Sequence, residues 1–432
     1  MPDRAMSGAA PLTHDAEKLH ELPLTETTAP QPVEPISSRR QSWQPTPAEA
    51  PLDTTTAPST ATTILPLSKH ATHLYTVSYL IFFGILGTLA RLGLQALTFY
   101  TGAPIVTGVV WANVSGSLIM GFLIEDKNIF AEEWGSPQTP PPKEQEPDSH
   151  DAQEHTKKHK ATKKTIPLYI GLTTGFCGCF TSFSSFMRDT FLALANALPD
   201  PSLPAGASIA SRNGGYSFMA LVAVVLVTVS LSLSALIFGA HLALALGRFT
   251  PTVPFALARR VLDPLMVVLG WGCWLGAVFL AIWPPDRFGA GEEEWRGRAV
   301  FAIVFAPLGC LLRFYVSLFL NGRVASFPLG TFAVNMLGTL VEGLCYDLQH
   351  VSGLGAVLPA ALTGCQVLQG VMDGFCGATT TISTWVAELN GLAKRRYAYF
   401  YGVASVVGGL GLMVVIMGSL LWTRGFDDPV CG

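Results

Sequence analysis

The chain has 432 residues, of which half are hydrophobic and only 13% charged, with a formal net charge of −3. Soluble domains carry about 25% charged residues, so an ordinary soluble enzyme is excluded, and so near-neutral a chain offers no basic surface to nucleic acid. The eight cysteines fall mostly inside apolar runs, in neither a zinc spacing nor a secreted disulfide framework. What remains is a multi-span membrane protein.

Residues 1–75 are rich in Pro, Thr, Ala and Ser without apolar periodicity. Such a segment buries too little surface to offset its ordering entropy, which predicts a disordered cytosolic tail. It has no charged start followed by an apolar core, so no cleavable signal peptide is expected. Nine apolar runs follow, at 76–98, 104–125, 166–192, 216–247, 264–283, 298–320, 327–346, 355–389 and 399–422. Each approaches or exceeds the ~20 residues that a bilayer core requires. Gly, Cys, Ser and Thr interrupt the long third and eighth runs, which predicts broken helices. A polar insertion over 126–165, containing PQTPPPKEQEPD and KKHKATKK, reads as a disordered loop.

Lys and Arg gather in that insertion and in the loops after spans four, six and eight (Arg248, Arg259, Arg260; Arg323; Lys394, Arg395, Arg396). The alternate loops hold fewer, and one carries Glu292-Glu293-Glu294. By the positive-inside rule the N-terminus is cytosolic and the C-terminus extracellular.

The chain repeats itself. Span one contains Gly87-Thr-Leu-Ala-Arg91 and span six Gly309-Cys-Leu-Leu-Arg313; span two contains Asn113-Val-Ser-Gly116 and span seven Asn335-Met-Leu-Gly338. From Arg to Asn is 22 residues in both halves (113 − 91 and 335 − 313). Span three reads Gly175-Phe-Cys-Gly178-Cys-Phe-Thr181-Ser-Phe-Ser-Ser-Phe186, and span eight Gly374-Phe-Cys-Gly377-Ala-Thr-Thr380-Thr-Ile-Ser-Thr-Trp385. The offset between halves falls from 222 to 199 across the insertion. These motifs predict an all-α polytopic membrane protein of two inverted four-helix repeats joined by one linking transmembrane helix, nine spans in total. The repeats occupy 76–248 and 298–423, the linker region 249–297 and a short tail 424–432. Inverted repeats are a mark of transport folds, whose sites lie where broken helices meet.

The paired GFCG segments, with G-x-x-x-R and N-x-x-G in the same order twice, resemble the CrcB/Fluc fluoride channel family. The tandem form with a joining helix is similar to its eukaryotic branch, the fluoride export proteins. The resemblance implies a passive channel for F−, with fluoride ion and the lipid bilayer as partners. It also implies a functional monomer, a pseudo-dimer of fused repeats in the plasma membrane. It makes Phe183 and Phe186 anion-lining rings, with Ile382 and Trp385 at the matching positions of the second half. It assigns Gly178, Thr181, Gly377 and Thr380 to helix breaks whose backbone carbonyls hold a structural Na+.

From the residues themselves, Asn113 and Asn335 lie near mid-membrane, where an amide offers two donors without a fixed charge to trap an ion; the bland alternative is glue between helices. Ser184, Ser185, Ser383 and Thr384 are candidates for a polar track, against back-bonding to carbonyls at i−4. Arg91 and Arg313 are expected near opposite mouths, attracting anions in the vestibules. Glu342 replaces Met120 in the repeat alignment. It is an unwelcome acid beside an anion path, expected to be protonated or to face lipid headgroups. A secondary anion transporter working by alternating access is the competing reading. Such proteins employ carboxylates within spans, and beyond Glu342 and Asp373 the sequence predicts few. No catalytic motif suggests an enzyme, and no nucleotide-binding motif suggests a pump.

Overall fold

The computed structural model describes residues 68–134, 159–203, 210, 212–284, 299–351, 360–429 and 431, and the described residues contain helices and no strand. The bulk of the expected tail (1–67) and of the insertion (135–158) lies outside the described residues.

Helix α1 (Lys69–Thr98) starts before the expected residue 76, because Ser68 caps it by accepting from the Ala71 amide at 3.2 Å. Helix α2 (Val109–Glu125) starts later than 104, after the turn at Gly102, where φ is 81°. The third span is a helical run over 167–180, here α3, that opens on Pro167, passes through a π-helical stretch at Gly171–Cys177 and stops after Phe180. Thr181 and Ser182 are extended, and α4 (Phe183–Leu194) resumes. Then come α5 (Gly214–Leu246), α6 (Phe255–Ile282), α7 (Phe301–Leu320) and α8 (Leu329–Gln349). The eighth span repeats the plan of the third: α9 (360–379) has a π-helical stretch at Val371–Cys376, breaks at Thr380, and α10 (Ser383–Gly391) follows. Helix α11 (Arg395–Thr423) closes the fold. Six helices, α1, α5, α6, α7, α8 and α11, are long and apolar enough to cross a membrane. Helix α2 is apolar but has only 17 residues, and the α3–α4 and α9–α10 pairs are interrupted.

Two expectations need correcting. The insertion is not disordered at its ends: Ala131–Trp134 is helical, and buried Lys163 donates to the carbonyls of Leu123 (2.7 Å), Ile124 (3.2 Å) and Asp126 (2.5 Å). It thereby satisfies acceptors that the end of α2 leaves open. Nor are the cysteines free of disulfides, since Cys365 and Cys431 form one that ties the C-terminal tail to α9.

The halves interlock. Helix α2 packs along α5, and α8 along α11. But α4 lies against α8 and α11 as well as α5, while α10 lies against α2 and α5. Each outgoing half of a broken helix thus leans on the other repeat. The α2–α5 contact is close because Gly121 meets the Leu236 backbone and Gly239 the Leu118 backbone, small residues letting helices approach. A Cβ at Gly121 would run into the Leu236 carbonyl oxygen. Gly121→Ala is therefore expected to cost more than ~2 kcal/mol, an overpacking penalty, seen as lost monodispersity and a lower melting temperature in detergent.

Candidate functional site

The two breaks cross at the centre of the molecule and cap each other. At Thr181 (φ −99°, ψ 150°) and Thr380 (φ −95°, ψ 155°) the chain leaves the helix. The outgoing helix then begins with amides that have no partner in their own helix. Thr380 Oγ1 accepts from the Phe183 and Ser184 amides, both at 3.1 Å. Thr181 Oγ1 accepts in return from Ile382 at 3.2 Å and Ser383 at 3.1 Å. Each threonine therefore caps the helix of the opposite repeat.

Asn113 and Asn335 brace these breaks. Asn113 Oδ1 accepts from the Ser182 amide (2.8 Å), and its Nδ2 donates to the Ser182 carbonyl (3.4 Å). Asn335 does the same at Thr381, at 2.9 and 3.3 Å. Each amide spends its acceptor and one donor on the break and keeps one N–H. The hydroxyls do not back-bond to carbonyls at i−4: Ser184 meets Thr380 Oγ1 (3.0 Å), Ser185 meets Ser182 (2.9 Å), Ser383 meets Thr181 (3.1 Å) and Thr384 meets Thr381 (3.4 Å). They fall into two buried hydroxyl clusters, Ser182–Ser184–Ser185 with Thr380 and Thr381–Ser383–Thr384 with Thr181, each drawing on both repeats.

The arginines are not in vestibules. Arg91 and Arg313 are buried against the breaks, each bonding both repeats. Arg91 donates from Nε to the Cys179 carbonyl (3.2 Å) and from Nη2 to that of Asp373; Arg313 donates to Ala378 (2.9 Å) and Thr174 (2.6 Å). Gly178 and Gly377 are glycines because the guanidinium groups of Arg313 and Arg91 occupy the space a Cβ would fill. The physical reason is local: interrupted helices expose carbonyls inside the membrane that must find donors, and a planar guanidinium reaches two at once.

The aromatic level is asymmetric. Phe183 and Trp385 meet edge to face with centroids 5.6 Å apart, and Phe183 also meets Phe186 at 5.8 Å. Phe183 packs at Gly409 and Trp385 near Gly402, both on α11. Phe186 and Ile382 are buried in the same cluster. The Trp385 Nε1–H is buried without a hydrogen-bond partner among the described residues.

Five acids are buried among the described spans: Asp189, Asp263, Glu342, Asp373 and Glu388. The expectation of few intramembrane carboxylates is corrected accordingly. Glu342 does not face headgroups; it is fully buried and pairs with Arg188 at 3.0 Å. Glu388 accepts from Thr331 (2.6 Å), Tyr401 (2.7 Å) and Asn321 (3.2 Å). The sequence reading assigned no role to Arg188, Glu388 or Tyr401. The available signal was charge inside an apolar run, which a membrane interior tolerates only with a partner.

A helical membrane protein whose two broken helices cross at a buried polar centre, lined by hydroxyls and ring edges, has the architecture of an ion-conducting protein. The family model described as "CrcB-like protein, Camphor Resistance (CrcB)" matches residues 78–240 and 300–419, one match per half. The chain belongs to this family. It is 59% identical over 377 residues to Fluoride export protein 1 of Neurospora crassa, covering 84% of this chain and 70% of that protein. Against Fluoride export protein 1 of Candida albicans it is 35% identical, covering 79% of each. The bacterial Fluoride-specific ion channel FluC 1 of Symbiobacterium thermophilum is 38% identical over 127 residues, which is 28% of this chain but 94% of that one. No solved structure matches.

Proposed function

We propose that the protein is a passive fluoride-selective channel that lets F− leave the cytosol down its electrochemical gradient. Membership in a family whose relatives are named for fluoride export and fluoride channels supports this reading. The observation that carries it is the Phe183–Trp385 pair, where ring edges and an unpartnered buried indole N–H stand together. A ring edge is the positive side of the aromatic quadrupole. A small anion stripped of water needs such edges and N–H or O–H donors, and the adjoining hydroxyls and the spare Asn amide hydrogens extend the track. Chloride is too large and too weakly basic to be compensated in the same space.

The architecture in this reading is nine spans in two inverted four-helix repeats about α6, working as a monomer in the plasma membrane. A cytosolic N-terminus and extracellular C-terminus agree with the Cys365–Cys431 disulfide, because disulfides persist in oxidising compartments. A structural Na+ fits the centre. No hydrogen bond among the described residues ends on the Thr181 or Thr380 carbonyl, both in extended backbone. With the Gly178 and Gly377 carbonyls they would offer the hard oxygen donors that such a cation requires. When bound, the ion would hold the two breaks together.

Fluoride-electrode efflux from proteoliposomes tests the reading. Rapid fluoride loss is expected without chloride loss under the same gradient, at a rate far above an alternating-access cycle. Comparable chloride and fluoride currents would end the proposal.

A further inference from the structure

One ion pair breaks the symmetry of the pathway. Arg188 Nη1 lies 3.0 Å from Glu342 Oε1, with the Glu342 side chain fully buried and that of Arg188 18% exposed. Asp189 takes the other side of the guanidinium, at 3.2 Å from Nη2. At the matching positions the other half has Ala387 (188 + 199) and Met120 (342 − 222), so no such pair exists there. The pair also lies in line with the track. Arg188 is one turn beyond Ser184 on α4. Glu342 is two turns beyond Asn335 on α8, past Thr339, whose buried hydroxyl has no partner among the described residues. Helix α4, which carries both Phe183 and Arg188, touches α8 and α11, and α11 packs against both Phe183 and Trp385.

We propose that Arg188 is an anion-binding residue on the Phe183–Trp385 route and that Glu342 sets how firmly it holds the ion. The inference rests on the channel reading above. A guanidinium alone in a dehydrated path would act as a trap. At ~4 Å and an effective dielectric near 20, its attraction lengthens the dwell of an anion by about a thousandfold. Glu342 and Asp189, on either side of the guanidinium, offset that field while leaving N–H donors on Arg188 to replace water around the ion. The cluster thus does at one end of the route what the neutral Asn amides do at the breaks: it supplies donors without a net positive charge. Glu342 is then not an obstacle to the anion but the counter-charge that lets it leave.

The test compares the full-length wild type with Glu342→Gln and with the double variant Arg188→Ala/Glu342→Met, which copies the other half. Each is reconstituted for fluoride flux and melted in detergent with and without fluoride. Glu342→Gln is nearly isosteric and keeps a hydrogen-bonding group on Arg188. It is expected to lower the half-saturating fluoride concentration by about tenfold or more, to slow the maximal rate, and to melt higher in fluoride by mass action on the folded state. The double variant is made on an Asp189→Asn background, because removing Arg188 would otherwise leave the Asp189 carboxylate buried without its guanidinium. It is expected to fold, to lose the fluoride-dependent rise in melting temperature and to need about tenfold more fluoride for half-maximal flux. A conducting wild type with Glu342→Gln unchanged in half-saturation, rate and melting would overturn the inference alone, leaving the pair as structural glue. A wild type that passes no fluoride would overturn the channel reading and this inference with it.

Discussion

Phe183→Ile is expected to abolish fluoride conduction while Phe186→Ile is tolerated, at equal membrane abundance and with both proteins folded. The reason is the partner each ring meets. Phe183 stands edge to face with Trp385, whose unpartnered indole N–H gives that route a second donor. Taking one ring position from each repeat leaves Phe186 with Ile382, an aliphatic side chain without a quadrupole or a donor that is buried in the same cluster. Replacing Phe183 removes half of an aromatic pair that an anion needs. Replacing Phe186 alters a route that Ile382 has already deprived of a ring. A hundredfold loss corresponds to ~2.7 kcal/mol of lost ion stabilisation, a reasonable share for one coordinating ring and the water it displaces. The expected result is therefore at least about a hundredfold slower fluoride efflux for Phe183→Ile and a change of less than about threefold for Phe186→Ile. Both residues are fully buried and touch each other, so each change also costs packing. Equal loss of flux in the two variants, tracking equal loss of melting temperature, would reduce the rings to core residues.

The repeat made the outline legible. Duplicated motifs with matched spacing singled out Asn113 and Asn335 and the two interrupted spans, and the family resemblance those motifs carry put the breaks at Gly178–Thr181 and Gly377–Thr380, within a residue or two of where the helices stop. Apolar runs located the helices because hydrocarbon thickness fixes span length. What single-chain patterning could not convey was cross-repeat contact. Thr380 caps α4 and Thr181 caps α10, pairings between residues nearly 200 positions apart that no local rule announces. The same limitation misplaced the arginines. Distance along a helix suggested depth near a mouth, but Arg91 lies opposite carbonyls that only a broken helix from elsewhere in the chain can present. Glu342 was visible as an anomaly, yet its meaning lay in Arg188 on a different span. The insertion was misjudged for a related reason: Lys163 sits in a lysine-rich run that composition assigns to solvent, and only the open end of α2 explains its burial.

Arg91→Met is expected to unfold the centre of the protein rather than merely weaken anion entry. Arg91 bonds the Cys179 carbonyl of its own repeat and the Asp373 carbonyl of the other, while Arg313 bonds Ala378 and Thr174. The acceptors correspond pairwise through the 199-residue offset (378 − 179 and 373 − 174). The two guanidinium groups are thus a matched pair of clamps on the interrupted helices. Hydrogen bonds to a charged donor contribute ~1.5–3 kcal/mol each, and an abandoned buried acceptor carries its desolvation cost as well. Losing two such bonds at one clamp should therefore cost more than ~3 kcal/mol. Arg91→Lys should fail almost as badly, because an ammonium on a flexible stem does not bridge two carbonyls with a planar fork. Gly377→Ala should reproduce the defect from the other side, since its Cβ would enter the space of the Arg91 guanidinium. The measurement is thermal melting and size-exclusion behaviour in detergent, set beside fluoride flux. A vestibule arginine would give the opposite pattern: Arg91→Met would melt like wild type, and its flux would fall less as ionic strength rises, because salt screens a long-range field but does not rebuild a missing clamp.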